Sequence, residues 1–362
     1  MIKSVIYVGA KPDFENNHPG GQSTASLGLI EYAQANNIKL KIIDSAQESF
    51  PTPTFLQRLK KAAGRVVELL SVLRKEKVDR VIIFCGGGFS FYEKSMLALV
   101  SVISGVETML FVRSGHFMTE CVRSRLKRSL AAALLKIPHK VGAQGESWKS
   151  FYQRLGVSSD KVVIVRNWLP NNRNVTQTAK CYNLDEKKKL TYVFVGWVVR
   201  KKGIYELVEA VNQSNVLRQC RFLIAGGGES FDDIQHLKSQ AGLDCIELLG
   251  WQTPEQIDGL LKEAHVFVLP SYAEGFPNAL LEAISQGLPA VVTSVGSMPD
   301  SAIHGENAEL IPTKDAVALK NALERFYFEP DLIKQYSTKS ISIAINQHSR
   351  ESNCKRLFDI FE

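Results

Sequence analysis

No two of the six cysteines stand in a CxxC pair, which argues against a zinc ribbon or a dithiol redox motif. Cys85, Cys121, Cys181, Cys220, Cys245 and Cys354 therefore read as reduced thiols of a cytosolic protein. No apolar run approaches the roughly 18 residues needed to cross a bilayer. The opening MIKSVIYVGA has one lysine and a short apolar run, so a first strand is expected there and not a cleaved signal peptide. That strand is not followed by GxGxxG, so the nicotinamide fingerprint is missing where it should occur. No D-x-D triplet is present, and no required metal is expected. Fixed-period repeats and low-complexity tracts are also missing.

What is present is ordinary in bulk and uneven in place. A hydrophobic content of 45% and a charged content of 22% suit a soluble globular protein, and 362 residues suffice for two domains with separate cores. The net charge of +7 is concentrated at one end: residues 1–150 hold 21 Lys+Arg against 12 Asp+Glu, and the remainder holds 23 against 25. Such a first half suits an anionic partner, whether nucleic acid, an acidic membrane surface or a charged substrate. Nucleic acid is the weakest of these, since no aromatic-rich basic motif accompanies the charge.

Short β-branched runs recur along the first half as SVIYVG (4–9), KLKIID (39–44), RVIIFC (80–85), TMLFVR (108–113), KVGA (140–143) and KVVIVR (161–166). After a polar stretch at 171–189 the pattern restarts with LTYVFVG (190–196), RFLIAGG (221–227), CIELLG (245–250), VFVLP (266–270), PAVVTS (289–294) and AELIP (308–312). Helix-like segments separate the runs. Continuous apolar strands alternating with helices predict parallel sheets covered on both faces. The expected fold is α/β, with two doubly wound Rossmann-like domains facing across a cleft, over 1–170 and 171–345. Residues 346–362 read as a terminal helix.

Ligands of such sheets bind where strands lead into helix N-termini. After the first strand, Gly20 and Gly21 precede Gln22-Ser23-Thr24 at a helix start, which would let a backbone approach an anion, or would serve as a surface turn. His116, in RSGHFMTE, follows the fourth strand; it suits orienting or deprotonating a hydroxyl, and a satisfied structural histidine is the plainer reading. Arg200, Lys201 and Lys202 crowd the turn after the strand ending at Gly196, where three cations suit a diphosphate or form a solvated basic turn. LIAGGGES (223–230) supplies another glycine-rich strand end.

The stretch EGFPNALLEA (274–283) carries two carboxylates across a helix start. Pro277 suits the first helical turn, where its missing N–H costs nothing. The amides of Asn278, Ala279 and Leu280 would then be unpaired and ready for an anion. Helical spacing sets Asn278 and Glu282 on one face, while Glu274 precedes the helix. The two acids are therefore expected to do different jobs.

EGFPNALLE resembles the E-x7-E signature of the retaining family 4 glycosyltransferases of GT-B fold. The likeness continues in GLPAVVTSVGSMPD, FLIAGGGE, ELLGWQTPEQI and VFVLPSYAEGFP, covering most of the second domain. In the first domain only the Gly-Gly loop and the His-bearing loop line up. The resemblance implies that the second domain binds a nucleotide-diphosphate sugar as donor substrate, with no cofactor, and that the first binds a glycan acceptor. Glu274 would meet the transferred sugar near its anomeric carbon, with His116 also at that sugar. Glu282 would hold the ribose, and Trp251 would line the base pocket. Gly275, Phe276, Pro277 and Asn278 would present backbone groups to sugar and diphosphate, next to the amides of Ala279 and Leu280. Lys202 would clamp the diphosphate, and Gly20 with Gly21 would close on the phosphates. Where the family commonly has arginine, this chain has Trp197, leaving Arg200 or Lys201 as the second cation. The terminal helix would pack back on the first domain.

The physical argument favours transfer over hydrolysis, because a nucleoside diphosphate leaves as a stable anion and needs cations more than a carboxylic acid. Two rivals remain: a non-catalytic nucleotide-sugar-binding or partner subunit, and a nucleotide-sugar epimerase. Two basic amphipathic segments complete the picture. In 55–77 an apolar stripe of Leu56, Leu59, Ala63, Val66, Leu70 and Leu73 runs beside Arg58, Lys60, Lys61 and Arg65. In 121–136 Val122, Leu126, Leu130 and Leu134 run beside Arg123, Arg125, Lys127 and Arg128. Each is either a core-packed helix with a solvated back or a peripheral contact with an anionic membrane, as a lipid-linked acceptor in bacterial surface polysaccharide synthesis would suit.

Overall fold

The computed structural model describes residues 4–12, 21–46, 54–169, 175–182 and 188–359, without the side chains of 21–24. Gly20 and, within the polar stretch at 171–189, residues 171–174 and 183–187 lie outside the described residues. The chain divides into two compact units, one of Met1–Asn172 with Arg350–Glu362 and one of Arg173–Ser349.

The first unit runs β1 (Ser4–Gly9), α1 (Gly21–Ala35), β2 (Lys39–Asp44), α2 (Phe55–Lys75), β3 (Arg80–Cys85), α3 (Phe89–Ile103), β4 (Glu107–Val112), α4 (Gly115–Arg123), α5 (Arg125–Leu134), β5 (Lys140–Ala143), α6 (Glu146–Arg154) and β6 (Val162–Ile164). The second runs β7 (Thr191–Val195), α7 (Ile204–Asn212), β8 (Arg221–Ala225), α8 (Phe231–Gln240), β9 (Ile246–Gly250), α9 (Pro254–Glu263), β10 (Val266–Leu269), α10 (Asn278–Ser285), β11 (Ala290–Thr293), β12 (Ala308–Ile311), α11 (Ala316–Phe328) and α12 (Asp331–Gln347). A last helix, α13 (Arg350–Phe358), belongs to the first unit. Its Arg350 pairs with Glu31 of α1 at 2.8 Å, and Phe358 stacks on Tyr32 at 5.5 Å.

The strand orders are β2-β1-β3-β4-β5-β6 and β12-β11-β10-β7-β8-β9, and the paired strands are parallel. Each order reverses once, between β1 and β3 and between β7 and β10, and such a reversal opens the crevice where doubly wound sheets bind ligands. Every residue of β3 and β10 is buried, which is why those runs read as unbroken apolar stretches. Side-chain alternation splits the first unit's core in two. Ile6, Val8, Val81 and Ile83 face α2 and α3, whereas Val5, Tyr7, Ile82 and Phe84 face α1 and α13.

Three local expectations need correction. The fully buried line of α2 is Ala62, Arg65, Leu69 and Val72; of the expected stripe, Leu56, Leu59 and Ala63 are exposed, Leu70 is half-buried, and Val66 and Leu73 are half-buried against the core. Arg65 can sit inside because Glu93 of α3 meets it at 2.5 Å while Lys94 bonds the other oxygen of Glu93 at 2.8 Å. The segment 121–136 is two helices, because Ser124 turns extended and its hydroxyl accepts the Lys127 amide at 3.3 Å, an N-cap. Its apolar line stays outside as far as Leu130, with Val122 and Leu126 each 80% exposed, and only Leu134 packs against the core. Finally, Pro277 is the N-cap of α10 and not its first helical residue, and its carbonyl accepts the Leu280 amide at 3.1 Å. The Leu280 amide is therefore already used within the turn.

Candidate functional site

The second unit's reversal point lies between β7 and β10, and the loops that follow these two strands carry Lys202 and Glu274. After β7 the chain makes a 3-10 turn over Arg200–Lys202, then Gly203 takes φ 73° to start α7. A side chain at Gly203 would bring Cβ to 2.1 Å from the Pro270 carbonyl oxygen, so only glycine lets this turn lie against the end of β10. The Tyr272 amide then donates to the Lys201 carbonyl at 2.9 Å, stitching the two loops together.

This stitching places Lys202 Nζ in hydrogen-bond contact with Glu274 Oε1, with both side chains mostly buried. The Glu274 loop is braced from the far side by the turn after β11. Gly296 has φ 59°, and a Cβ there would lie 2.2 Å from the Glu274 carbonyl oxygen. The Ser297 amide donates to the Gly275 carbonyl at 2.8 Å. Phe276 is buried and stacks on His348 at 5.1 Å, and His348 Nε2 lies 2.9 Å from Ser301 Oγ. Asn278, Ala279 and Glu282 are partly exposed in the first turns of α10, and a helix N-terminus favours negative charge.

Below this pair, Tyr272 Oη donates to Glu206 Oε1 at 2.6 Å. Burial, helped by that carboxylate, pushes the Tyr272 hydroxyl up to about 12, so it stays a donor at neutral pH. Arg200 does not turn toward Glu274; its guanidinium lies 4.0 Å from the Tyr205 ring centre, and Lys201 is exposed. Trp197 and Trp251 meet edge to face at 4.9 Å, and both are close to half exposed. The glycine-rich end of β8 makes room for them, since a Cβ on Gly227 would lie 2.6 Å from Trp251 Nε1. The result is an exposed aromatic pair at the ends of β7 and β9.

His116 belongs to the first unit, at the second position of α4. It is exposed, with Nε2 4.0 Å from Glu120 Oε1. Gly21 opens α1. Sequence reasoning missed Tyr272, Glu206, Gly296, Ser297 and His348, the residues that hold the Glu274 loop. Only Gly296 carried a signal, as a glycine just past a strand; the others act through contacts no local pattern encodes.

Two doubly wound units of this topology make the GT-B fold. Residues 177–342, nearly all of the second unit, match the family described as glycosyl transferases group 1. The solved structure of sucrose-phosphate synthase from Thermosynechococcus elongatus superposes with a TM-score of 0.79 over 99% of this chain and 98% of that one, at 17% identity. The lipopolysaccharide outer core galactosyltransferase WaaB gives 0.74 over 99% and 100%, also at 17%. Among curated proteins, an Escherichia coli UDP-Gal:alpha-D-GlcNAc-diphosphoundecaprenol alpha-1,3-galactosyltransferase is 26% identical over 302 residues, 78% of this chain and 76% of its own. The candidate colanic acid biosynthesis glycosyltransferase WcaL of Salmonella typhimurium is 28% identical over 187 residues, 49% of this chain and 45% of its own. The match to WcaL thus spans about half of each protein.

Proposed function

We propose that the chain is a retaining glycosyltransferase, moving a sugar from a nucleotide-diphosphate donor to a lipid-linked glycan acceptor in bacterial surface polysaccharide synthesis. The observation that carries this reading is the Lys202–Glu274 pair at the reversal point, beside the N-terminus of α10. A cation and a carboxylate held together there match the two needs of the reaction: charge to receive a departing diphosphate, and an oxygen to face the anomeric carbon. The similarity of the second unit to group 1 glycosyl transferases supports the donor assignment.

In this mechanism the donor's diphosphate draws Lys202 from Glu274, and the amides of Asn278 and Ala279 share its charge. Glu274 is thereby released toward the sugar, and backbone groups of Gly275, Phe276 and Pro277 line its approach. Glu282, a turn into α10, takes the ribose hydroxyls, and the Trp197–Trp251 pair takes the base. Arg200 and Lys201 add field at the mouth. His116, in the first unit, is assigned to the acceptor hydroxyl. Because side-chain cations and helix amides meet the leaving charge, the reaction proceeds without a metal.

The acceptor reading draws on the basic first half and on a relative whose name specifies a diphosphoundecaprenol-linked sugar. No helix among the described residues is long and apolar enough to cross a membrane. A peripheral contact with the inner face of the cytoplasmic membrane is proposed instead, through Phe55, Leu56 and Leu59 of α2 and Val122, Leu126 and Leu130 along α4 and α5.

A thermal-shift screen against uridine, guanosine, cytidine and thymidine diphosphate sugars tests the donor assignment. One base and sugar should raise Tm in proportion to the logarithm of its concentration. Absence of a response to every member would overturn it.

A further inference from the structure

The first unit has a second cluster of buried polar groups, at the carboxyl ends of β4 and β5 and just past β6. Arg113 follows β4, and its guanidinium lies over the rings of Phe84, Phe111 and Trp168 at 4.9, 5.2 and 5.7 Å from their centres. Its Nη2 donates to Asn167 Oδ1 at 2.8 Å. Gln144, which follows β5, donates to the same oxygen at 3.0 Å. Two donors thus share one acceptor. Arg113 Nη1, Gln144 Oε1 and Trp168 Nε1 are enclosed with no hydrogen-bond partner among the described residues. Gln144, Asn167 and Trp168 are all at least nine-tenths buried.

The cluster is rich in donors and poor in counter-charge. Burial holds the Arg113 guanidinium down to about 10, which still leaves it charged at neutral pH. None of the ion pairs among the described residues involves Arg113. Aromatic faces attract a cation, but they accept no hydrogen bond of ordinary strength from Nη1. A desolvated guanidinium is costly to keep unless an anion answers it, and its planar fork fits carboxylate and phosphate oxygens. The cluster also stands at the carboxyl ends of β4, β5 and β6, the edge of a parallel sheet at which ligands bind.

We propose that Arg113, with Gln144 and Asn167, forms an oxyanion-binding subsite of the first unit that takes a phosphate or a carboxylate group. One anionic oxygen accepts from Arg113 Nη1, and a hydroxyl next to the anion donates to Gln144 Oε1. Binding of the anion does not depend on the transferase reading; identifying it as the charged group of the acceptor does rest on that reading.

The test uses the full chain carrying Lys202→Gln, which removes the cation paired with Glu274 in the second-unit site. It is titrated with inorganic phosphate and, separately, with glucuronate, and followed by tryptophan fluorescence and by Tm. A saturable response to at least one anion is expected, and adding Arg113→Gln should weaken it at least tenfold. Saturation by phosphate alone assigns a phosphate ligand; saturation by glucuronate alone assigns a sugar acid. Gln144→Leu keeps the guanidinium and serves as the second variant, with the response weakened severalfold at an unchanged Tm. The proposal is overturned if neither anion saturates in the Lys202→Gln protein. It also falls if Arg113→Gln melts like its parent and responds equally. Should no nucleotide sugar bind while phosphate still saturates this site, the transferase reading fails and the subsite stands.

Discussion

Glu274 and Lys202 are each other's partner before any donor arrives, so removing either one should affect the donor differently. Glu274→Gln keeps the size of the side chain and removes its charge. It should lower the transfer rate by roughly a hundredfold or more, as loss of a group facing developing charge does, while nucleoside diphosphate affinity stays within a fewfold. Lys202→Gln should instead weaken nucleoside diphosphate binding, by calorimetry, at least as much as it lowers the rate. Equal loss of binding in both variants would contradict the division of labour. Gly296 offers a test of the brace behind this pair. Its φ of 59° and the 2.2 Å approach of a Cβ to the Glu274 carbonyl mean that Gly296→Ala must move the loop. Destabilisation by more than about 1 kcal/mol is expected in urea titration, together with weaker donor binding. An alanine variant with native stability and native affinity would show that the brace is dispensable.

Among the elements, α2 and α3 are joined through a charge network inside the first unit. Arg65 and Lys94 both meet Glu93, and burial draws the Lys94 ammonium below its usual range. Glu93→Gln would leave two buried cations facing a neutral amide, a change expected to cost about 3–5 kcal/mol of stability in urea unfolding. A loss under 1 kcal/mol would show that water or rearrangement screens them. This network also explains what the sequence concealed. Strand positions were readable because buried parallel strands are unbroken β-branched runs, as RVIIFC and VFVL are. The face of α2 was misread in its first half, because Arg65 belongs to its buried line and Leu56 and Leu59 do not, and only the partner on α3 makes a buried arginine tolerable; Val66 and Leu73 of the expected stripe do pack against the core. The break at Ser124 had a local sign, a serine three residues before an amide it caps, but the four-residue recurrence of Val122, Leu126 and Leu130 masked it. In the candidate site, the glycine-bearing turns and the placing of Glu274 before a helix and Glu282 within it were legible. The pairing of Lys202 with Glu274, 72 residues apart, was not, since the β7–β10 adjacency that creates it is a property of the whole sheet.

For the molecule as a whole, the excess of positive charge coincides with one exposed apolar line of the first unit. Arg123, Arg125, Lys127 and Arg128 are exposed beside Val122, Leu126 and Leu130, and no core residue claims that line. Vesicle flotation should recover the protein with anionic but not with neutral lipid, and Arg125→Glu with Arg128→Glu should reduce that recovery at low salt. Equal recovery with both lipids would remove the electrostatic part of the proposal. The central claim, retaining transfer governed by the second unit, is tested most directly by proton NMR of the sugar released from the donor that binds, with water as the acceptor. The account predicts that the first anomer to appear has the configuration of the donor linkage, and that Glu274→Gln abolishes its appearance. First appearance of the opposite anomer, or undiminished release by Glu274→Gln, would contradict it.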